Sequence, residues 1–263
     1  MKRVLLVGGG DHTGGLLESS RALLEFLGME ALGEHLIRGG YWGRFSERFL
    51  DVWLEIFLKA EQENAQIMAM EEDSYLDLLY ALKIADSAAM QKFALKKGIA
   101  PFVAQKPLYL PSYALQHSKG KYQSNFAPFS SAWIGSSRAG ELPSFERGLG
   151  KMLSKELGLK VIVDDFSHES YAHTFAFNPQ NALQQSARIY FSAVDLGVDF
   201  ITVSSVEQLG FLDKMHQKIL KASKRERIET PLLYPTQLIL LALGQRDKKL
   251  LGIHKHKIKV TMI

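Results

Sequence analysis

The chain has 263 residues, 46% of them hydrophobic and 23% charged, enough to form one large or two small soluble domains. Its net charge of +4 is modest, and the basic stretch "KMHQKILKASKRER" (214–227) lacks the aromatic interleaving of a nucleic-acid surface, so no nucleic-acid partner is expected. There is no cysteine, which excludes disulfides, thiol catalysis and cysteine-ligated zinc or iron–sulfur sites.

In chain order, "RVLLV" (3–7) reads as a buried strand that breaks into "GGGDHTGG" (8–15). "GLLESSRALLEFLG" then carries apolar residues at helical spacing and closes on Gly28 as a C-terminal cap. A weak strand at "MEAL" (29–32) precedes an amphipathic helix, "SERFLDVWLEIFLKAEQEN" (46–64). "QIMAM" (66–70) is a third strand and "SYLDLLYALKIA" (74–85) a further helix, with Ser74 as its cap and Asp77 three residues on.

A polar, irregular join covers about 99–125. The pattern then repeats, with strands at "PFSSAWIG" (128–135), "LKVIVDD" (159–165) and "DFITV" (199–203). Between them lie the helices "LPSFERGLGKMLSKELG" and "NPQNALQQSARIYFSAVDLG" (178–197), the latter with Asn178 as N-cap and Pro179 in its first turn. "SVEQLGFLDKMHQKIL" (205–220) reads as one helix, with Ser205 and Gln208 at capping-box spacing.

Strands alternating with helices predict an α/β fold with parallel sheets, and the repetition predicts two tandem Rossmann-like units, residues 1–110 and 111–263, each with three strands. The opening "MKRVLLVGGG" is too short in apolar residues for a signal peptide. "PLLYPTQLILLALG" (231–244) is broken by Pro235 and too short to cross a bilayer, so a cytoplasmic protein without membrane insertion is expected.

Ligands of open parallel sheets sit beyond the carboxyl ends of the strands, where Gly8–Gly10, Gly39–Gly40 and "EEDS" (71–74) should meet. Here the chain resembles the heterodisulfide reductase B subunit family, whose repeated cysteine-rich module is the CCG domain. That family carries Pro-Gly-Cys after the first strand, Cys-Cys-Gly after the second and Cys-x-x-Cys after the third. "RVLLVGGG" resembles the first segment, with Gly9 in the cysteine place, and "ESSRALLEFLG" (18–28) the helix that follows. Gly39 and Gly40 fall at the paired-cysteine positions, and Glu71 and Ser74 at those of the Cys-x-x-Cys.

In the second half, "AWIGSS" (132–137) places Ser136 at a cysteine position, and "LGVDFITVSSVEQLGFLD" (196–213) places Ser205 and Gln208 at two more. The paired-cysteine position falls near Ser170 and Tyr171. "TPLLYPTQLILLALG…LLGIHKH" (230–256) is very like the family's C-terminal segment. The resemblance implies a scaffold for two iron–sulfur clusters within an electron-transfer complex. Neither Gly, Ser, Glu nor Gln replaces a set of thiolates, so no cluster, metal or other cofactor is expected.

The function so implied is a non-catalytic interaction or scaffold subunit of a redox complex, partnered by an iron–sulfur or flavin subunit or by a copy of itself. One alternative is an enzyme or sensor that binds a small ligand in the emptied cluster pocket. Another is a nucleotide-dependent oxidoreductase: Gly8, Gly10 and an off-register Gly14 approach G-x-G-x-x-G, but Thr13 stands at the third glycine's place. "EED" (71–73) suits a helix N-terminus as readily as a hard cation. "HESYAH" (168–173) misses the His-Glu-x-x-His zinc spacing by one residue, and Ser136 lacks a nucleophile elbow.

Overall fold

A computed structural model describes residues 2–9, 14–36, 48–84, 87–96, 98, 105–138 and 143–261. Gly10, Gly39 and Gly40 lie outside these residues. The chain divides into two compact units, one of Met1–Asp11 and Leu24–Leu110, the other of His12–Leu23 and Pro111–Ile263. Each holds a parallel four-stranded sheet with helical crossovers.

In the first unit the strands are β1 (Lys2–Gly8), β2 (Met29–Leu36), β3 (Gln66–Ala69) and β4 (Leu108–Tyr109), in the order β2-β1-β3-β4. β1 is central because its apolar run can be buried on both faces: Val4, Leu5, Leu6 and Val7 have no exposed surface. Each such side chain contributes about 1.5–3 kcal/mol on burial. The helices of this part are α1 (Leu16–Phe26), which passes from the second unit into the first, α2 (Arg48–Gln62), α3 (Glu72–Ile84) and α4 (Ser87–Lys96). α2 turns Trp53, Ile56 and Phe57 inward at helical spacing.

The second unit repeats the topology with β5 (Ser130–Ile134), β6 (Lys160–Ile162), β7 (Phe200–Val203) and β8 (Leu232–Leu233), in the order β6-β5-β7-β8. Its helices are α5 (Leu110–His117), α6 (Pro143–Leu157), α7 (Pro179–Asp195), α8 (Val206–Lys214), α9 (His216–Ser223) and α10 (Pro235–Ala242). The shared strand order is the duplication expected from the sequence.

Three expectations need correction. Each sheet gains a fourth strand, β4 paired with β3 and β8 paired with β7; two residues are too few to show a period. The join is not irregular throughout, since β4 and α5 lie within it. The helix expected over 205–220 breaks at Met215 into α8 and α9.

α10 carries no polar face, and all eight of its residues are buried within this chain. Its polar members are absorbed locally: Gln237 Oε1 accepts from Tyr234 N at 2.9 Å, and Thr236 Oγ1 pairs with Ser19 Oγ at 2.8 Å. Burial in its own fold accounts for its apolar circumference without a docked subunit.

Candidate functional site

In the first unit, β1 and β3 run side by side, and Met70 N donates to Val7 O at 2.7 Å. The pairing of β1 with β3 brings Gly9 and Glu71 to one end of the sheet. Gly8 packs on Met70: a Cβ there would stand 2.6 Å from Met70 Cε and 3.2 Å from Met70 Cβ.

Glu71, not Ser74, caps α3. Its carboxylate accepts from Ser74 N at 2.8 Å and Asp73 N at 3.0 Å, and it also contacts Ser74 Oγ. The cap and its partner are buried, Glu71 at 2% exposure and Ser74 at 0%. Burial, with the Asp73 charge adding to it, pushes the Glu71 carboxyl up to about 8, although the N–H and hydroxyl donors pull the other way. Desolvation, reinforced by the Asp73 carboxylate, outweighs these donors.

In the second unit, Ser136 follows β5, is fully buried, and accepts from Arg138 N at 3.1 Å. Ser205 caps α8 through Gln208 N at 3.4 Å. Gln208 does not close the capping box. Its amide instead crosses to the loop after β6 and donates to Glu169 O at 2.6 Å. Gln208, Ser170 and Tyr171, which the resemblance places at or near ligand positions, thus line one hollow with Ser186, Ile189 and Leu212. That hollow measures about 10 Å³, room for one water. Gln208 Oε1 and Ser170 Oγ are both buried there without a protein partner, which suits a single bridging water.

The glycines that opened the dinucleotide question have a different use. Gly14 and Gly15 adopt φ of +50° and +85°, and a Cβ on Gly15 would stand 2.3 Å from Gly252 O. Gly252 is equally confined, its own Cβ position lying 2.4 Å from Gly15 Cα. Gly14 O accepts from His256 Nε2 at 2.6 Å and from Gln237 Nε2 at 3.3 Å. These contacts seat the start of α1 on the C-terminal segment of the same unit, with Glu18 paired to Lys255. Nothing in the local pattern of "GGGDHTGG" announces a partner more than 230 residues away.

Two other polar residues escaped the sequence reading. Asp213, 3% exposed, accepts from Lys257 N and Ile258 N and pins the last described residues to α8. His216, 3% exposed, packs edge-on to Tyr190 with neither ring nitrogen bonded, and burial lowers its pKa. Among the described residues no group of three His, Asp or Glu side chains is placed to hold a metal, and no helix is long and apolar enough to cross a membrane.

The geometry defines a duplicated α/β protein whose strand-end positions carry caps and loop ties. Residues 171–257 match the family model of the HdrB-like C-terminal domain, the resemblance that the C-terminal "PTQLILLALG" segment implied. The crystal structure of a hypothetical protein from Helicobacter pylori superposes with a TM-score of 0.85 at 24% identity, over 100% of this chain and 53% of that one. It establishes the fold; the present chain spans about half its length. Escherichia coli glutamate racemase aligns over 93% of this chain and 83% of its own at 11% identity, with a TM-score of 0.39, too loose to bear on fold or function. No curated protein matches the sequence.

Proposed function

We propose that this protein is an HdrB-like subunit without iron–sulfur ligands, serving as a non-catalytic interaction or scaffold component of a redox complex. The observation that supports the reading is what the residues at the expected ligand positions do. Glu71 caps α3, Ser205 caps α8, Ser136 closes a turn and Gln208 ties down the loop at Glu169. None offers a thiolate, and with no cysteine in the chain none can be recruited from elsewhere. The HdrB-like domain supports a place in a complex, with an iron–sulfur or flavin subunit, or a second copy, as partner.

The reading that a small ligand occupies an emptied cluster pocket draws no support from the second unit, whose hollow at Gln208 and Ser170 is water-sized. The nucleotide reading loses Gly14, which has a positive φ and packs against the Leu209 side chain.

Anaerobic purification and reconstitution test the cluster claim: iron and acid-labile sulfide should stay far below stoichiometric, and a stoichiometric cluster overturns it. Affinity capture from native extract tests the scaffold claim. Reproducible recovery of an iron–sulfur or flavin protein, or a concentration-independent homo-oligomer, is expected; a monomer recovered alone refutes it.

A further inference from the structure

The basic stretch 214–227 ends beside a surface groove of about 690 Å³ that none of the preceding roles uses. The groove is lined by Ala187 and Phe191 of α7, Leu196 just beyond that helix, Ala222 of α9 and Phe166 of the loop after β6. Its volume lies within the range of small-molecule sites.

Two arginines in this groove sit over phenyl rings. Arg225 sits over Phe191, its guanidinium carbon 4.4 Å from the ring centroid, and Arg188 sits over Phe166 at 4.2 Å. Stacking fixes the plane of a guanidinium and leaves its N–H edges directed sideways, where they match two oxygens of a carboxylate or phosphate.

On Arg225 those edges are filled. Asp195 accepts from both terminal nitrogens, at 2.6 and 2.7 Å. Arg188 has the same stack and no oxyanion among the described residues. The neighbouring carboxylate Asp164 is taken up by Ser192, Ser167 and Phe166 N. The groove therefore contains one completed stacked-arginine clamp and one open one. An arginine whose geometry is already fixed loses less freedom on binding than an unconstrained one.

We infer that this groove binds a small organic oxyanion, a carboxylate or phosphate monoester on an apolar body, with Arg188 clamping the oxygens and Ala187, Leu196 and Ala222 receiving the body. The inference is independent of the scaffold reading, since none of the residues lining the groove is one of the expected ligand positions and it needs no partner subunit.

The test is a heteronuclear NMR titration of the full chain at constant ionic strength with sodium benzoate, phenyl phosphate and, as the uncharged control, benzyl alcohol. At least one anion should shift the Arg188 Nε–H and amides of 187–196 saturably in the millimolar range, and the stronger of the two identifies the head group. Arg188→Gln, at an exposed position that should not disturb folding, should weaken binding about tenfold or more. Arg188→Lys, which keeps the charge without the planar fork, should restore only part of it. No saturable shift up to about 20 mM of either anion, an equal response to benzyl alcohol, or an unchanged response in Arg188→Gln overturns the proposal.

Discussion

Glu71→Gln isolates the consequence of burying a carboxyl at a helix cap. In the native protein the group is held up at about 8, against an ordinary 4.5. Between those values the unfolded chain has released this proton and the native state retains it. The native state then binds more protons, so stability falls as pH rises through this window and levels off above it. At 1.36 kcal/mol per pH unit the full gap corresponds to ~5 kcal/mol, and slight opening of the site to water would bring it to about 3 kcal/mol. Glutamine keeps an oxygen for Ser74 N and cannot ionise. Urea unfolding of both proteins at pH 5.0, 6.5 and 8.5 measures the effect as a difference. The variant should gain about 3–5 kcal/mol on the wild type between the lowest and highest pH. His216 and His256, whose lowered pKa values produce the opposite slope, are present in both proteins and cancel. Parallel pH profiles for the two proteins would refute the reasoning, because they would mean that Glu71 is ionised in the fold at neutral pH.

Two glycines at positive φ should separate strain from collision. Gly28→Ala, at φ +67° with nothing within 4 Å, should cost about 1 kcal/mol, whereas Gly15→Ala, whose new Cβ meets Gly252 O, should cost more than ~3 kcal/mol and lower Tm accordingly; equal costs would remove the close-packing account. His216 has a folded pKa below its unfolded value, so its contribution is full above pH 6.5 and lost as pH falls. His216→Phe should therefore flatten the acid limb of stability between pH 7 and 5, and an unchanged limb counts against it. Asp213→Ala leaves the Lys257 and Ile258 amides without their acceptor and should cost about 2–4 kcal/mol, with faster amide exchange at 257–258; unaltered exchange there would show that the carboxylate does not pin the segment.

What the sequence determined by itself was periodic or compositional. The apolar runs of β1, β5 and β7 alternate with amphipathic helices, and this repeats, which is enough for a duplicated parallel α/β fold because only buried strands tolerate such runs. Asn178 and Ser205 were legible as caps, since a cap is a local hydrogen bond within three residues. The absence of cysteine was decisive about thiolate chemistry with no structure needed. Tertiary structure alone decided the rest. β4 and β8 are strands only because β3 and β7 supply the neighbouring edge. Gly15 and Gly252 need each other's missing side chains across the length of the chain. Glu71 looked like an ordinary acidic residue at a helix start until burial removed its water, and Gln208 looked like half of a capping box until its amide found Glu169. In each case the deciding energy comes from desolvation or close contact, and both depend on which distant segment fills the space beside the residue.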